Sequence, residues 1–231
     1  AVLAGFDSKV TILCELVGPS MPTDLPERSP LHLAVILDKS GSMSGTPLEE
    51  AKRCAVQMVE KLSNTDQVSI IEYDNGVNTL VPLQPVSENK RSIIRNIQSI
   101  HSGGSTNLFG GWDAGRQQLE QQVAENVLSR ILLLSDGQAN VGYRDVDQIL
   151  PFCQQALEQG VSTSTYGLGR NFNEDLMVEM ANSGGGSTYY GQTADDLAEP
   201  FAEEFDMLNA LCAKNILFAF QSDEHEVKVL N

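Results

Sequence analysis

The stretch that decides the fold reads Leu33-Ala34-Val35-Ile36-Leu37-Asp38-Lys39-Ser40-Gly41-Ser42-Met43. Five apolar residues in a row, followed by a polar cluster, are typical of a strand buried on both faces in the middle of a parallel sheet. The carboxyl ends of such strands border the crevice where these sheets bind ligands. Asp38, Ser40 and Ser42 place oxygen donors at that end, and Gly41 allows the sharp turn that lets them converge. Hard divalent cations prefer such donors.

Strands and helices alternate along the rest of the chain. Apolar and β-branched runs predict strands at 67–73, 131–134, 161–168 and 187–190, and Asp74-Asn75-Gly76 predicts a hairpin to an antiparallel strand over 77–83. Helical spacing predicts helices from 46 to 62, 87 to 100, 108 to 123, 145 to 159, 173 to 180 and from 193 onward. This order predicts an α/β fold with a doubly wound, mostly parallel central sheet, one antiparallel edge strand and helices on both faces. The first strand would lie near the centre, beside the strand that ends before Asp136.

Several residues predict where helices begin or break. Thr46 is expected to cap the first helix, with Pro47 at its first helical position, and Ser87 to cap the second. Asn173 is expected to cap a later helix. Pro200 is expected to divide the final helix into two pieces, because a proline inside a helix removes a backbone hydrogen bond.

The domain organisation follows from the prolines near the start and the strand character near the end. We expect an N-terminal strand and proline-rich linker over 1–30, the main domain over 31–211 and a C-terminal extension over 212–231. The strand at 10–17 and the strand at 215–220 would pair to form a small β extension.

Composition excludes some partners. With 15 Lys and Arg against 31 Asp and Glu, the chain carries a net charge of −16, which repels nucleic acid and anionic membrane surfaces. No apolar run approaches the roughly 20 residues that a membrane-spanning helix needs.

The four cysteines show no metal-binding or redox spacing. Cys54 and Cys153 lie on the apolar faces of predicted helices, so we interpret them as core thiols. Cys14 and Cys212 either form a disulfide, if the protein is exported, or remain free. Because the sequence also lacks a signal peptide and an Asn-x-Ser/Thr acceptor, a cytoplasmic location is favoured, with an exported or surface-associated one as the alternative.

The polar loops that can reach the crevice offer an oxygen-only donor set: Asp38, Ser40, Ser42, Thr106 and Asp136. Such a set suits Mg²⁺, Mn²⁺ or Ca²⁺ and disfavours Zn²⁺ and Cu²⁺. We predict Mg²⁺, with Mn²⁺ or Ca²⁺ as alternatives. The competing interpretation is that Asp38 and Asp136 only cap backbone amides where strands turn into loops.

This combination resembles the metal-ion-dependent adhesion site of von Willebrand factor type A domains. The resemblance rests on the pentad 38–42, the threonine of the loop 103–107 and the aspartate of the triplet 135–137, in that order, and extends over 31–211. It implies that the three hydroxyls bind the ion, while the two carboxylates ligate it directly or through water. In the family, a glutamate or aspartate of a partner protein typically takes the open coordination position.

The resemblance and the residues together predict a binding module rather than an enzyme. Met43 stands where a nucleophile elbow needs its serine, no phosphate-binding glycine motif occurs, and no histidine has a compelling triad partner. We expect a divalent-cation-dependent adhesion or scaffold module that captures an acidic residue of a partner. The alternative is a noncatalytic subunit that docks through the same site onto an AAA-type ATPase or a similar machine.

Overall fold

A computed structural model describes residues 29–124, 126–136, 138–168 and 173–209, and residues 29–209 form one compact unit. The strands are β1 (Leu31–Asp38), β2 (Gln67–Tyr73), β3 (Val77–Pro85), β4 (Leu128–Ser135), β5 (Val161–Leu168) and β6 (Gly185–Gly191). The helices are α1 (Thr46–Lys61), α2 (Lys90–Gln98), α3 (Leu108–Glu120), α4 (Val146–Glu158), α5 (Glu174–Ser183) and α6 (Ala194–Asn209).

The six strands form one sheet in the order β3-β2-β1-β4-β5-β6. All neighbouring pairs are parallel except β2 and β3, which form the antiparallel hairpin. The predicted doubly wound sheet with one antiparallel edge strand is therefore confirmed. Because the chain winds outward in opposite directions from β1 and from β4, a crevice opens between the carboxyl ends of these two strands.

The core lies on both faces of the sheet. Every residue of β1 is buried, with Leu33, Val35 and Leu37 facing one apolar cluster and Ala34 and Ile36 facing the other. The first cluster includes residues of α1, α2 and α6, and the second includes residues of α3, α4 and α5. This double burial explains why β1 reads as an unbroken apolar run.

Two predicted helix caps are wrong. Gly45, not Thr46, caps α1, with a φ of 82° that favours glycine, so Thr46 is already the first helical residue. Asn89, not Ser87, precedes α2, because the first helical hydrogen bond runs from the Ile93 N–H to the Asn89 carbonyl at 2.9 Å. The predicted cap at Asn173 is confirmed, since its side chain accepts the N–H of Leu176.

The predicted break at Pro200 is also wrong, because α6 continues through it. The missing proline N–H costs the helix one backbone hydrogen bond. On either side of Pro200, the side chains of Leu197, Phe201 and Phe205 pack in the core with at most 5% of their surface exposed. Burial of these side chains outweighs the lost hydrogen bond and keeps the helix in one piece.

Cys54 and Cys153 are buried free thiols, as predicted, and burial raises the pKa of each to about 12. Neither is therefore a reactive thiolate at neutral pH. The predicted strands at 10–17 and 215–220 and the residues Cys14 and Cys212 lie outside the described residues. Within the described ranges, no helix is long and apolar enough to cross a membrane.

Candidate metal centre

Three loops meet at the carboxyl edge of β1 and β4. Asp38 ends β1, and the loop that follows it contacts the loop before α3 through two backbone hydrogen bonds, from Gly41 N–H to the Gly104 carbonyl at 3.0 Å and from Gly103 N–H to the Lys39 carbonyl at 2.8 Å. Asp136 follows β4, the strand beside β1. The parallel register thus gathers the loops that carry the predicted site residues.

The two serines of the pentad lie close together. A 3₁₀ turn over Gly41–Met43 brings the hydroxyl oxygens of Ser40 and Ser42 to 3.1 Å of each other. Met43 is fully buried and holds this turn against the core. Ser40 is 1% exposed, whereas Ser42 is exposed, so the pair leads from the interior to the surface.

The carboxylate of Asp38 is fully buried and accepts hydrogen bonds from three segments of the chain. Its Oδ1 accepts the backbone N–H of Ser40 at 2.9 Å. Its Oδ2 accepts the hydroxyls of Ser135 at 2.6 Å and Tyr73 at 3.1 Å. Each of these donors comes from a different segment, so the orientation of the carboxylate is fixed from three sides.

Burial dominates the electrostatics of this carboxylate. Desolvation raises the pKa of Asp38 above its ordinary value, the hydroxyls of Ser135 and Ser40 oppose that rise, and the nearby charge of Asp136 adds to it. Burial and the charge of Asp38 also raise the pKa of Tyr73 well above its ordinary value. The phenol therefore stays protonated and acts as a hydrogen-bond donor.

Both carboxylates cap backbone amides, as the competing interpretation predicted. Asp38 accepts the amide of Ser40, and Asp136 accepts the amide of Gln138 at 3.1 Å. Capping leaves further lone pairs on each carboxylate, so it does not exclude a cation. In the described part of the chain, no basic side chain forms an ion pair with either one, and the neighbouring Lys39 ammonium pairs instead with Glu72 and Asp74.

Thr106 is 2% exposed and is held by the loop that follows β4. Its backbone N–H donates to Oδ1 of Asn140 at 2.7 Å, and its carbonyl accepts the backbone N–H groups of Asn140 and Val141 at 3.0 Å. The next residue, Asn107, caps α3 by accepting the N–H of Gly110. The threonine is therefore fixed between two elements of the crevice.

The donor chemistry of these loops fits a hard divalent cation. They offer two carboxylates and three hydroxyls, and the described residues contain no cluster of three or more His, Cys, Asp or Glu side chains that could hold a metal. The five donors include no nitrogen or sulfur ligand, so this set does not suit a softer ion. That the five side chains share one ion remains a prediction.

Sequence reasoning missed three residues that support the site: Tyr73, Ser135 and Asn140. Ser135 directly precedes Asp136, and Tyr73 stands at the end of β2 in register with Asp38. The position of each polar residue at a strand end was the available signal. Asn140 carried no signal, because its contact with Thr106 depends on how the loop after β4 folds.

Comparison of the sequence with known proteins identifies the domain family of the chain. Residues 32–203 match the von Willebrand factor type A domain, so the chain belongs to this family of domains. Among curated proteins it is 30% identical to YfbK of Escherichia coli over 187 residues, covering 80% of this chain and 32% of that protein. It is 28% identical to human inter-alpha-trypsin inhibitor heavy chain H3 over 185 residues, covering 76% of this chain and 21% of that protein.

Solved structures agree on the fold. Proximal thread matrix protein 1 from the mussel byssus, solved with a zinc-occupied MIDAS motif, superposes with a TM-score of 0.64 at 18% identity and covers 78% of this chain and 48% of that one. At this identity the likeness concerns the fold alone. The chain spans less than half the length of the curated relatives named above.

Proposed function

We propose that this domain is a divalent-cation-dependent protein-binding module. Asp38, Ser40, Ser42, Thr106 and Asp136 would hold the ion, predicted to be Mg²⁺. When bound, the ion would supply a Lewis-acidic centre with an open coordination position for an incoming carboxylate. The partner would be a protein that presents a glutamate or aspartate at its surface.

The observation that carries this proposal is the missing counter-charge. Asp38 is fully buried and Asp136 is 6% exposed, and among the described residues neither forms an ion pair with a basic side chain. Two neighbouring carboxylates in such surroundings are costly unless a positive charge compensates them. A divalent cation between the hydroxyl-bearing loops would supply that charge.

The overall charge of the chain makes the ion necessary for an acidic partner. At a net charge of −16, the surface repels carboxylates. A bound divalent ion would neutralise the two site carboxylates and offer its open coordination position at the mouth of the crevice, where Ser42, Gly104 and Ser105 are exposed and leave room for a partner side chain. Capture should therefore require the ion.

The choice of ion needs a direct comparison. Oxygen donors favour Mg²⁺, Mn²⁺ or Ca²⁺ over Zn²⁺, yet the mussel protein was solved with zinc in its MIDAS motif. We expect Mg²⁺ and Mn²⁺ to support binding at millimolar or lower concentrations in this chain. Partner capture that Zn²⁺ supports but neither Mg²⁺ nor Mn²⁺ supports would change the identity of the ion and leave the site in place.

The test is capture of partners by the immobilised domain with Mg²⁺ or with a chelator. Asp136→Asn should abolish Mg²⁺-dependent capture, because it removes one of the two charges that hold the ion. Asp147→Asn, on an exposed position of α4, is the matched control and should capture as the wild type does. Capture that survives both the chelator and Asp136→Asn would contradict the proposal.

The identity of the captured proteins would also distinguish an adhesion module from a noncatalytic docking subunit. Surface or matrix proteins would support adhesion, whereas an AAA-type ATPase would support work as a noncatalytic docking subunit. Because the sequence offers no serine at a nucleophile elbow and no triad partner for a histidine, phosphatase, esterase and nucleotidase assays should read background. An activity that Asp136→Asn abolishes would overturn the assignment as a binding module.

A further inference from the structure

The two oxygens of Asp38 have unequal hydrogen bonding. Oδ2 accepts two side-chain hydroxyls, from Tyr73 at 3.1 Å and Ser135 at 2.6 Å. Oδ1 accepts the backbone N–H of Ser40 at 2.9 Å, and the Ser40 hydroxyl also hydrogen-bonds this carboxylate. A carboxylate offers about four acceptor positions. Hydroxyls from the two neighbouring strands occupy Oδ2, whereas Ser40, itself a proposed ligand, donates to Oδ1, so Oδ1 is the oxygen on the side of the serine turn.

The hydroxyl of Tyr73 is held in place by its strand and by a helix. Tyr73 ends β2 directly opposite Asp38, and its carbonyl accepts the N–H of Lys39 at 2.9 Å. Its ring is fully buried and packs against the bare backbone of α3 at Gly111, where a Cβ would overlap the ring. A ring seated between strand and helix has little freedom to move its hydroxyl away from Asp38.

Ser135 approaches the same oxygen from the opposite neighbour. It is the last residue of β4 and is fully buried, and β4 pairs with β1 on the side away from β2. Oδ2 therefore accepts hydrogen bonds from both strands that flank β1. Rotation of the carboxylate about its Cβ–Cγ bond would break at least one of these hydrogen bonds.

We propose that Tyr73 and Ser135 are positioning residues that restrict Asp38 to ligation through Oδ1 alone. This inference rests on the proposed cation site and adds its geometry. With Oδ2 occupied by the two hydroxyls, Asp38 would contribute only Oδ1 to the ion, directly or through one water. Such single-oxygen ligation leaves more positions on the ion for water or for a partner carboxylate, as a near-octahedral ion requires.

The experiment is a Mn²⁺ titration of the full chain. Calorimetry measures the affinity, and the relaxation of water protons measures the hydration number of the bound ion. Tyr73→Phe and Ser135→Ala each remove one donor to Oδ2 and should weaken Mn²⁺ binding about 10-fold, the usual cost of losing a residue that orients a ligand. The hydration number should change in the double variant, because the released Oδ2 can replace a water on the ion.

Tyr166→Phe is the matched control. Tyr166 is also fully buried, and its hydroxyl donates to a different carboxylate, that of Glu204. The Tyr166→Phe variant should lower the melting temperature of the metal-free chain without changing the affinity for Mn²⁺ or the hydration number of the bound ion. This comparison separates a positioning role from a general effect of removing a buried hydroxyl.

The outcomes distinguish this inference from the proposed function. If the wild type binds Mn²⁺ and Tyr73→Phe and Ser135→Ala keep both affinity and hydration number, the positioning role is overturned and the cation site stands. If the wild type binds no Mn²⁺, the cation site and the positioning role are both overturned.

Discussion

Thr106 and Asn140 each donate one hydrogen bond to the other. Oδ1 of Asn140 accepts the backbone N–H of Thr106 at 2.7 Å, and the backbone N–H of Asn140 donates to the Thr106 carbonyl at 3.0 Å. One residue belongs to the loop before α3 and the other to the loop after β4. The pair therefore joins two of the three loops that surround the crevice.

Loss of the Asn140 side chain should loosen Thr106. We expect Asn140→Ala to weaken Mn²⁺ binding up to about 10-fold, because a residue that orients a ligand is removed while every proposed ligand remains. Calorimetric titration measures the change. Asn182→Ala, at an exposed position on α5, is the control and should leave the affinity unchanged.

Glu204 is a second buried carboxylate, and here the counter-charge is present. It is fully buried on α6 and accepts hydrogen bonds from Arg130, Ser164 and Tyr166. These partners tie the last described helix to β4 and β5. The contrast with Asp38 is that Glu204 has an ion pair within the protein.

Glu204→Gln should therefore destabilise the fold. Removing one partner leaves the Arg130 guanidinium, whose side chain is 15% exposed, without its carboxylate, and breaking a buried pair costs on the order of 3 kcal/mol. Denaturant unfolding measures the loss. Glu203→Gln, its exposed neighbour, should change the free energy of unfolding by less than about 0.5 kcal/mol. Equal effects of the two variants would contradict this account.

His32 should make stability depend on pH. It is 6% exposed, and burial lowers its pKa below the ordinary 6.5, an effect that the charge of Asp66 partly opposes. Below about pH 6.5 the unfolded chain therefore binds more protons than the folded one, so this contribution to stability is complete above that pH and is lost as the pH falls.

The measurement is denaturant unfolding at a series of pH values from 8 to 5. His32→Gln should lose less stability than the wild type as the solution is acidified, because it has no proton to take up. His101→Gln, on an exposed loop, should follow the wild type. If His32→Gln leaves the pH dependence of the free energy of unfolding unchanged, groups other than His32 govern the loss of stability in acid.

Gly111 should not tolerate alanine, although alanine favours helices by up to about 1 kcal/mol over glycine. A Cβ there would overlap the ring of Tyr73, which cannot move because it is fully buried. We expect Gly111→Ala to destabilise the fold by about 1–3 kcal/mol, the range for overpacking a core. Gly76→Ala, whose Cβ would meet only a side-chain oxygen of Asp74 at 3.7 Å, is the control in the same unfolding assay.

The sequence predicted the fold well because its signals are local and repeated. The unbroken apolar run of β1 predicted a central strand, and the hairpin residues 74–76 predicted the antiparallel edge. Prediction failed where tertiary packing overrides a local preference. Pro200 should break a helix by itself, but the apolar side chains around it keep α6 continuous.

The candidate site was predictable in part. Asp38 directly follows an apolar run, and Asp136 follows another after a single serine, so parallel pairing of the two strands alone brings them to one edge of the sheet. The contacts that orient them were not predictable. The Tyr73 hydroxyl donates to Asp38 while its ring packs against Gly111, a helical residue 38 positions later in the sequence. Such contacts depend on packing distances that spacing along a sequence does not encode.

The central claim is that the crevice between β1 and β4 holds a divalent cation. Its most direct test is a calorimetric titration of the wild type and of the double variant Asp38→Ala, Ser40→Ala with Mg²⁺. The account predicts saturable binding of one ion to the wild type and none to the double variant, with a far-ultraviolet circular dichroism spectrum that stays unchanged. An unchanged Mg²⁺ affinity in the folded double variant would contradict it.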